Sequence, residues 1–213
     1  SSCKGCHPPS NWLWKPSFLK TPHASSIVTF FIRLRMSKAT LGLPSSKRSP
    51  SQWWVKDISF DNLIKKKFYN LHRQANLYEL SSWRSSPKGR LAEIIILDQF
   101  SRNMFRGSSK SYESDPKALF LSQKAIIHKA DKKMNGIEKS FLFMPFMHSE
   151  SMKFQKISLN LFKKLGIKES IESAERHYRV IEKFGRFPHR NIILNRSSSL
   201  EEKEFLKTAG SNF

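Results

Sequence analysis

Three stretches carry side chains able to do chemistry. Glu175 to Asn191 reads ERHYRVIEKFGRFPHRN, Leu97 to Gly107 reads LDQFSRNMFRG, and Phe141 to Glu150 reads FLFMPFMHSE. His148, Ser149 and Glu150 place an imidazole, a hydroxyl and a carboxylate side by side. The catalytic candidates are His177, His189 and Glu150, with a histidine as general base oriented by Asp98 or Glu150. The ligand-binding candidates are Asp98, Arg102, Asn103, Arg106, His148, Arg186, His189, Arg190 and Asn191. Arg102, Arg106, Arg186 and Arg190 converging on one point would form an anion clamp, because a guanidinium binds oxyanions through two parallel hydrogen bonds. The plainer reading makes Asp98 and Arg102, one turn apart, an intrahelical ion pair. It makes Ser149 a helix N-cap and His177 a satisfied core histidine. No metal site is expected: the histidines show neither H-x-x-x-H nor H-E-x-x-H spacing. No glycine-rich phosphate loop and no G-x-S-x-G elbow occurs either.

These stretches need rigid supports, and helical periodicity supplies them. Ala174, His177, Tyr178, Ile181 and Phe184 recur at steps of three and four, which predicts one apolar face over Glu169–Phe184. Gly185 then stops that helix, and Pro188 stiffens the exit, so Phe184 and Phe187 are expected to be buried with Arg186 held between them against a carboxylate, Asp98 first. Asp61 is expected to cap a helix over 62–80 whose core face holds Ile64, Phe68, Leu71, Ala75 and Tyr78. Lys88–Met104 forms the next helix, apolar all round at Ile94–Leu97 and so buried on most sides. Asp115-Pro116 opens a helix with Leu119, Ile126 and Ile127 as core positions. Asn135-Gly136 is read as a turn. A short apolar helix over 137–147 and an amphipathic one over Ser149–Leu165 follow. Ser199 to Glu202 has capping-box spacing and starts a last helix. About seven helices and no strand result.

The order of the motifs, DQFSRN with RG, then F–P–HSE, then H–FGRFPHRN, resembles the bacterial family called domain of unknown function 924. The resemblance spans roughly Gln52 to Phe213. It implies an all-α fold of antiparallel helix pairs, stacked in a tetratricopeptide-repeat-like right-handed array. It implies no activity, because the family has no established one.

Composition sets the outer bounds. The 213 residues contain 38 Lys and Arg against 17 Asp and Glu, for a net charge of +21, and 17 Phe offset a modest apolar content. Residues 1–50 hold no acid and read as a basic Pro/Ser-rich tail, partly disordered or extraneous to the domain, within which 27–34 forms a divergent first helix. Residues 51–213 read as a single all-helical domain. Cys3-Lys4-Gly5-Cys6-His7 matches the C-x-x-C-H pattern for covalent haem. Cys3, Cys6, His7 and His23 would suffice in number for zinc. Neither has a packed domain around it, so no cofactor is expected. The cysteine-free body fits a reducing compartment and a cytoplasmic location, and no apolar run reaches bilayer length.

Two partner classes follow. The first is a peptide segment or small anion, held by Arg102, Arg186, His189 and Arg190 in a binding module; the alternative is an unrecognised hydrolase or metal-dependent enzyme. The second is nonspecific nucleic acid, drawn by the basic surface. The aromatic residues near Trp53 and Phe68 have helical spacing and belong to the core. No basic stripe on one helix face stands out.

Overall fold

A computed structural model describes residues 22–38, 57–208 and 211, with side chains of the first helix through Arg33. The expected tail over 1–21 and 39–50, the Cys3/Cys6/His7 match and Trp53 lie outside the described residues. Among the described residues every regular element is helical. They run α1 (Ala24–Lys38), α2 (Ile58–Asn76), α3 (Pro87–Ile95), a π turn (Ile96–Phe100), α4 (Ser101–Met104), α5 (Asp115–Ile127), α6 (Gly136–Met147), α7 (Met152–Leu165), α8 (Lys168–Phe184) and α9 (Leu200–Leu206).

The centre is α3 with its π turn. Leu91, Ala92, Ile94, Ile95, Ile96 and Leu97 have no solvent exposure, because α1, α5 and α6 pack around α3 and α2 packs on the π turn and α4. Residues 27–34 lie within α1, whose Ile27, Val28 and Phe31 enter the same core. There Phe31 meets Phe100 and Phe141 with ring centroids 5.3 and 5.6 Å apart. Burying a ring of this size removes a large apolar area from water. Beyond α6, each of α7 and α8 packs on its predecessor. A second, smaller core forms where Val180, Ile181 and Phe187 meet Met152, Phe184 and Phe205.

Several local expectations change. Asp57, not Asp61, caps α2, accepting from Phe60 N. Asp61 is buried in the first turn and serves a tertiary contact instead. Tyr78 lies past the end of α2 at φ 61° and is exposed. Ile127, the last residue of α5, is 67% exposed rather than core. Ser114 takes the cap position of α5, and Asn135 is the cap of α6 in a capping box with Glu138. Ser151, not Ser149, precedes α7. The capping box of α9 forms as its spacing predicts, and Gly185 ends α8 at φ 67°.

One feature of α7 lies on its solvent side. Lys153, Lys156, Asn160, Lys163 and Lys164 are all exposed on one face, opposite buried Gln155, Ser158 and Phe162. A basic stripe therefore exists, contrary to the reading of the sequence.

Candidate functional site

The apolar run of α3 ends in the π turn, and Asp98 sits within it at 1% exposure. π turns are rare and often mark functional positions. A buried carboxylate needs partners, and Asp98 has three. His148 Nδ1 lies 2.6 Å from its Oδ1, Gln99 Nε2 donates at 2.6 Å to Oδ2, and Arg102 Nη1 stands 3.3 Å away. Burial alone would raise its pKa. The facing His148 and Arg102, with the hydrogen bonds, hold it well below the ordinary carboxylate range.

His148 closes α6, packed above the π turn. Burial and Arg102 together push its pKa down, against the pull of Asp98, so the ring is neutral near pH 7. An ionised carboxylate can only accept. Nδ1 therefore carries the ring proton and Nε2 is left as an acceptor.

Arg102 reaches past Asp98 to fork onto Asp115, with Nη1 and Nη2 at 2.8 and 3.0 Å from its two oxygens. Arg190, on the short 3-10 turn Pro188–Arg190, approaches Asp115 from the other side. Its Nη1 lies 3.4 Å from Oδ2, and its Nη2 donates to the His148 carbonyl at 3.0 Å. Its guanidinium is stacked between the rings of Tyr112 and Phe187, 4.4 and 4.6 Å from their centroids. Burial lowers the pKa of Arg190 from its ordinary value, with Asp115 opposing.

Glu150 is the second carboxylate here. It accepts the Phe187 backbone N–H at 2.8 Å and both arms of Arg196 at 2.7 and 2.9 Å. Burial would raise its pKa, but Arg196 and the Phe187 N–H hold it low. Beside this network lies a cleft of about 470 Å³. Tyr112, Pro116, Leu119, Pro145 and Leu194 give its lining apolar surface, and Glu113, Asp115, His148, Glu150 and Arg190 give it polar groups.

Asp98, Arg102, His148 and Arg190 are thus brought together. The four-arginine clamp is not formed. Arg106 forks onto Asp61 at 2.5 and 3.0 Å, with Asn103 donating to the same carboxylate at 2.7 Å. Arg186 forks onto Glu202 at 2.7 and 2.8 Å, correcting the expectation that Asp98 would hold it. Phe187 is buried as expected, while Phe184 is only half-buried. Asn191 Nδ2 donates to Ser198 at 3.0 Å. His177 donates through Nδ1 to the Ser173 carbonyl at 2.8 Å, and its ring lies 6.2 Å from that of His148. The imidazole that Asp98 orients is that of His148, not of His177 or His189. His189 is half-buried beside Phe187, and burial with the neighbouring Arg190 lowers its pKa to about 3.

Tyr112, Asp115 and Arg196 were missed by the sequence reading. Asp115 was assigned to a cap, and Tyr112 and Arg196 lie in Ser-rich segments without periodicity. Among the described residues no group of three or more His, Cys, Asp or Glu could hold a metal ion, and no helix is long and apolar enough to cross a membrane.

Comparison with known proteins places this geometry in a family. No curated protein matches the chain. A solved structure of a protein of unknown function from Agrobacterium tumefaciens is similar at 34% identity and a TM-score of 0.76, covering 86% of this chain and 96% of that one. The family model for bacterial proteins of unknown function designated DUF924 matches residues 28–210. The chain, through both its sequence and its helical architecture, belongs to the DUF924 family of bacterial proteins.

Proposed function

We propose that the protein is a binding module whose cleft beside His148 takes a peptide segment. The observation that carries this reading is the Asp98–His148 contact of 2.6 Å at the edge of a cleft of about 470 Å³. It fixes one tautomer and leaves Nε2 as an acceptor for a ligand N–H. Ligand clefts combine apolar walls with a few placed polar groups, and Tyr112, Leu119, Pro145 and Leu194 would take an apolar side chain. A small anion is the weaker occupant. Arg102, Arg106, Arg186 and Arg196 are already matched to Asp115, Asp61, Glu202 and Glu150, and the cleft presents Glu113, Asp115 and Glu150 against Arg190. A repeat-like, right-handed stacking of helix pairs belongs to this reading, and the packing of α7 on α6 and α8 on α7 supports it.

The test is an array of 15-residue peptides of varied sequence, probed with the protein and with Leu119→Arg, which would fill the cleft. The expected result is a consistent subset bound by the first and not by the second. Uniform binding, or a subset unaffected by Leu119→Arg, refutes the reading.

A second reading rests on the same contact. A carboxylate that holds Nδ1–H and leaves Nε2 bare is the arrangement of an oriented general base, so the site would hydrolyse the ligand it holds. Turnover of activated esters that disappears in His148→Ala would favour it over simple binding.

A further inference from the structure

The charge of α7 is organised differently from that of its neighbour. On α8, cations face acids: Lys168 pairs with Glu172 at 4.0 Å, Arg179 with Glu175 at 3.6 Å, and Lys183 with Glu201 of α9 at 2.8 Å. That is the ordinary pattern of a solvated helix surface. The segment Met152–Leu165 holds four lysines and no acid. None of Lys153, Lys156, Lys163 and Lys164 appears in an ion pair within 4.0 Å among the described residues, and all four are exposed. At 100° per residue, these lysines and Asn160 fall within an arc of about 100°, and at 1.5 Å per residue they extend over roughly 16 Å. Four like charges held in a row repel one another, so the stripe is unfavourable unless a polyanion meets it.

We propose that the exposed face of α7 is a docking surface for the phosphodiester backbone of a nucleic acid, bound without base readout. Three observations select this partner. Lysine ammonium groups are flexible point charges suited to phosphates, and phosphate contacts carry no sequence information. A bilayer surface would call for apolar residues to insert beside the charges, and the large exposed apolar side chains, such as Ile58, Phe120, Ile127 and Ile192, all lie off α7. A protein interface would centre on aromatic or arginine anchors, and the stripe holds only lysines and Asn160. The surface is separate from the cleft at His148, and neither proposal depends on the other.

The experiment is fluorescence anisotropy with a labelled 20-base-pair DNA duplex of mixed sequence, and with a single-stranded RNA, between 50 and 200 mM salt. Four phosphate contacts to duplex DNA give a log–log salt slope of about −3.6. Changing Lys153, Lys156, Lys163 and Lys164 to Gln should abolish most of that slope and weaken binding at least tenfold at low salt, with a melting temperature that does not fall. A control removes the same charge elsewhere, at exposed Lys65, Lys66, Lys67 and Lys110, and should weaken binding far less. The double variants K153Q/K156Q and K163Q/K164Q should each remove about half of the slope, so the result stands even if the quadruple variant folds poorly. Absence of binding at 50 mM salt, equal weakening by the control, or tighter binding to phosphatidylserine vesicles than to either nucleic acid overturns the proposal.

Discussion

Lowering the pH from 7 to 5 should destabilise the protein, and His72 supplies a calculable share. His72 is buried, with Nε2 2.7 Å from Ser101 Oγ. That hydroxyl already donates to the Leu97 carbonyl at 2.5 Å, so it accepts from His72, and Nε2 carries the ring proton. A second proton would go on Nδ1. Asn76 holds its amide nitrogen 3.4 Å from both ring nitrogens while donating to the His72 carbonyl at 3.1 Å, and its Oδ1 accepts from Ser114 and Lys117. A positive ring would thus face an N–H donor, with an ammonium group behind it, away from water. Burial first, and Lys117 second, lower the pKa from 6.5 to about 4. The unfolded chain takes up the proton near 6.5 and the folded one only near 4, so the stabilisation is fully present above 6.5 and lost as pH falls toward 4. Between pH 7 and 5 the difference is about 2 kcal/mol from this group alone. Asp98 adds nothing in that window, since its carboxyl is ionised in both states until the pH approaches 4. His148, His177 and His189, also shifted down, add to the same trend. The assay is urea unfolding followed by circular dichroism at pH 7 and pH 5, for the protein and for His72→Gln. The variant should lose about 2 kcal/mol less across the interval. An unchanged loss would show that His72 titrates normally and that the Asn76–Lys117 argument is wrong. The consequence reaches the site: His72–Ser101 and Asn76–Ser114 tie α2 to the segments carrying Arg102 and Asp115.

Asp98→Asn keeps the shape but leaves Arg102 and Arg190 sharing one carboxylate, so calorimetry should show a loss of about 3–5 kcal/mol, the usual cost of breaking a buried ion pair from one side. Arg186→Ala should act locally, because its forked partner Glu202 belongs to α9: amide exchange should accelerate over Leu200–Leu206 and stay unchanged in α3. Equal acceleration in both would contradict that. Gly89→Ala should lower the melting temperature sharply, since a Cβ there would stand 1.9 Å from the Trp83 carbonyl oxygen. At Gly185, where nothing lies within 4 Å and only φ +67° resists a side chain, the same change should cost far less.

The elements were legible where periodicity and cap chemistry agree. Residues of α2 and α8 show their buried face directly, and Ser199 and Glu202 mark the start of α9 by spacing alone. The π turn was not legible, because the run Ile94–Leu97 is apolar all round and carries no phase from which a one-residue slip could be read. Nor was the choice between Asp57 and Asp61 as the cap of α2, since both lie near its start. What separates them is Arg106, 45 positions on, whose fork holds Asp61. The site was half legible for the same reason. Side chains of the right type near helix ends could be named, but their partners are set by the return path of the chain. Arg186 meets Glu202 rather than Asp98 because the segment through Asn195, at φ 53°, returns α9 to the Pro188–Arg190 turn and the end of α8. The Lys stripe of α7 was present in the spacing 153, 156, 163 and 164, but went unread because only the apolar face of that helix was followed.

The two kinds of cation are placed differently, and this bears on both proposals. Arg84, Arg102, Arg106, Arg186 and Arg196 each fork onto a carboxylate, that of Glu93, Asp115, Asp61, Glu202 and Glu150 respectively. Each carboxylate lies on a different element or loop from its arginine, 9 to 46 positions away, so the pairs tie separate segments together. The planar guanidinium suits that role, since it makes two bonds at one fixed angle and is only weakly hydrated. Each internal tie neutralises one arginine with one acid, so it leaves the excess of cations over acids unchanged. That excess lies outside, where exposed lysines gather on α2 at Lys65, Lys66 and Lys67 and on α7 along one stripe. The outcome is a protein of net charge +21 whose cleft is lined by three acids against Arg190 and whose outer field is basic. A ligand of the cleft is selected by shape and hydrogen bonding at His148. A polyanion docked on α7, as proposed, would lie outside the cleft, so occupancy of one surface should leave the other available.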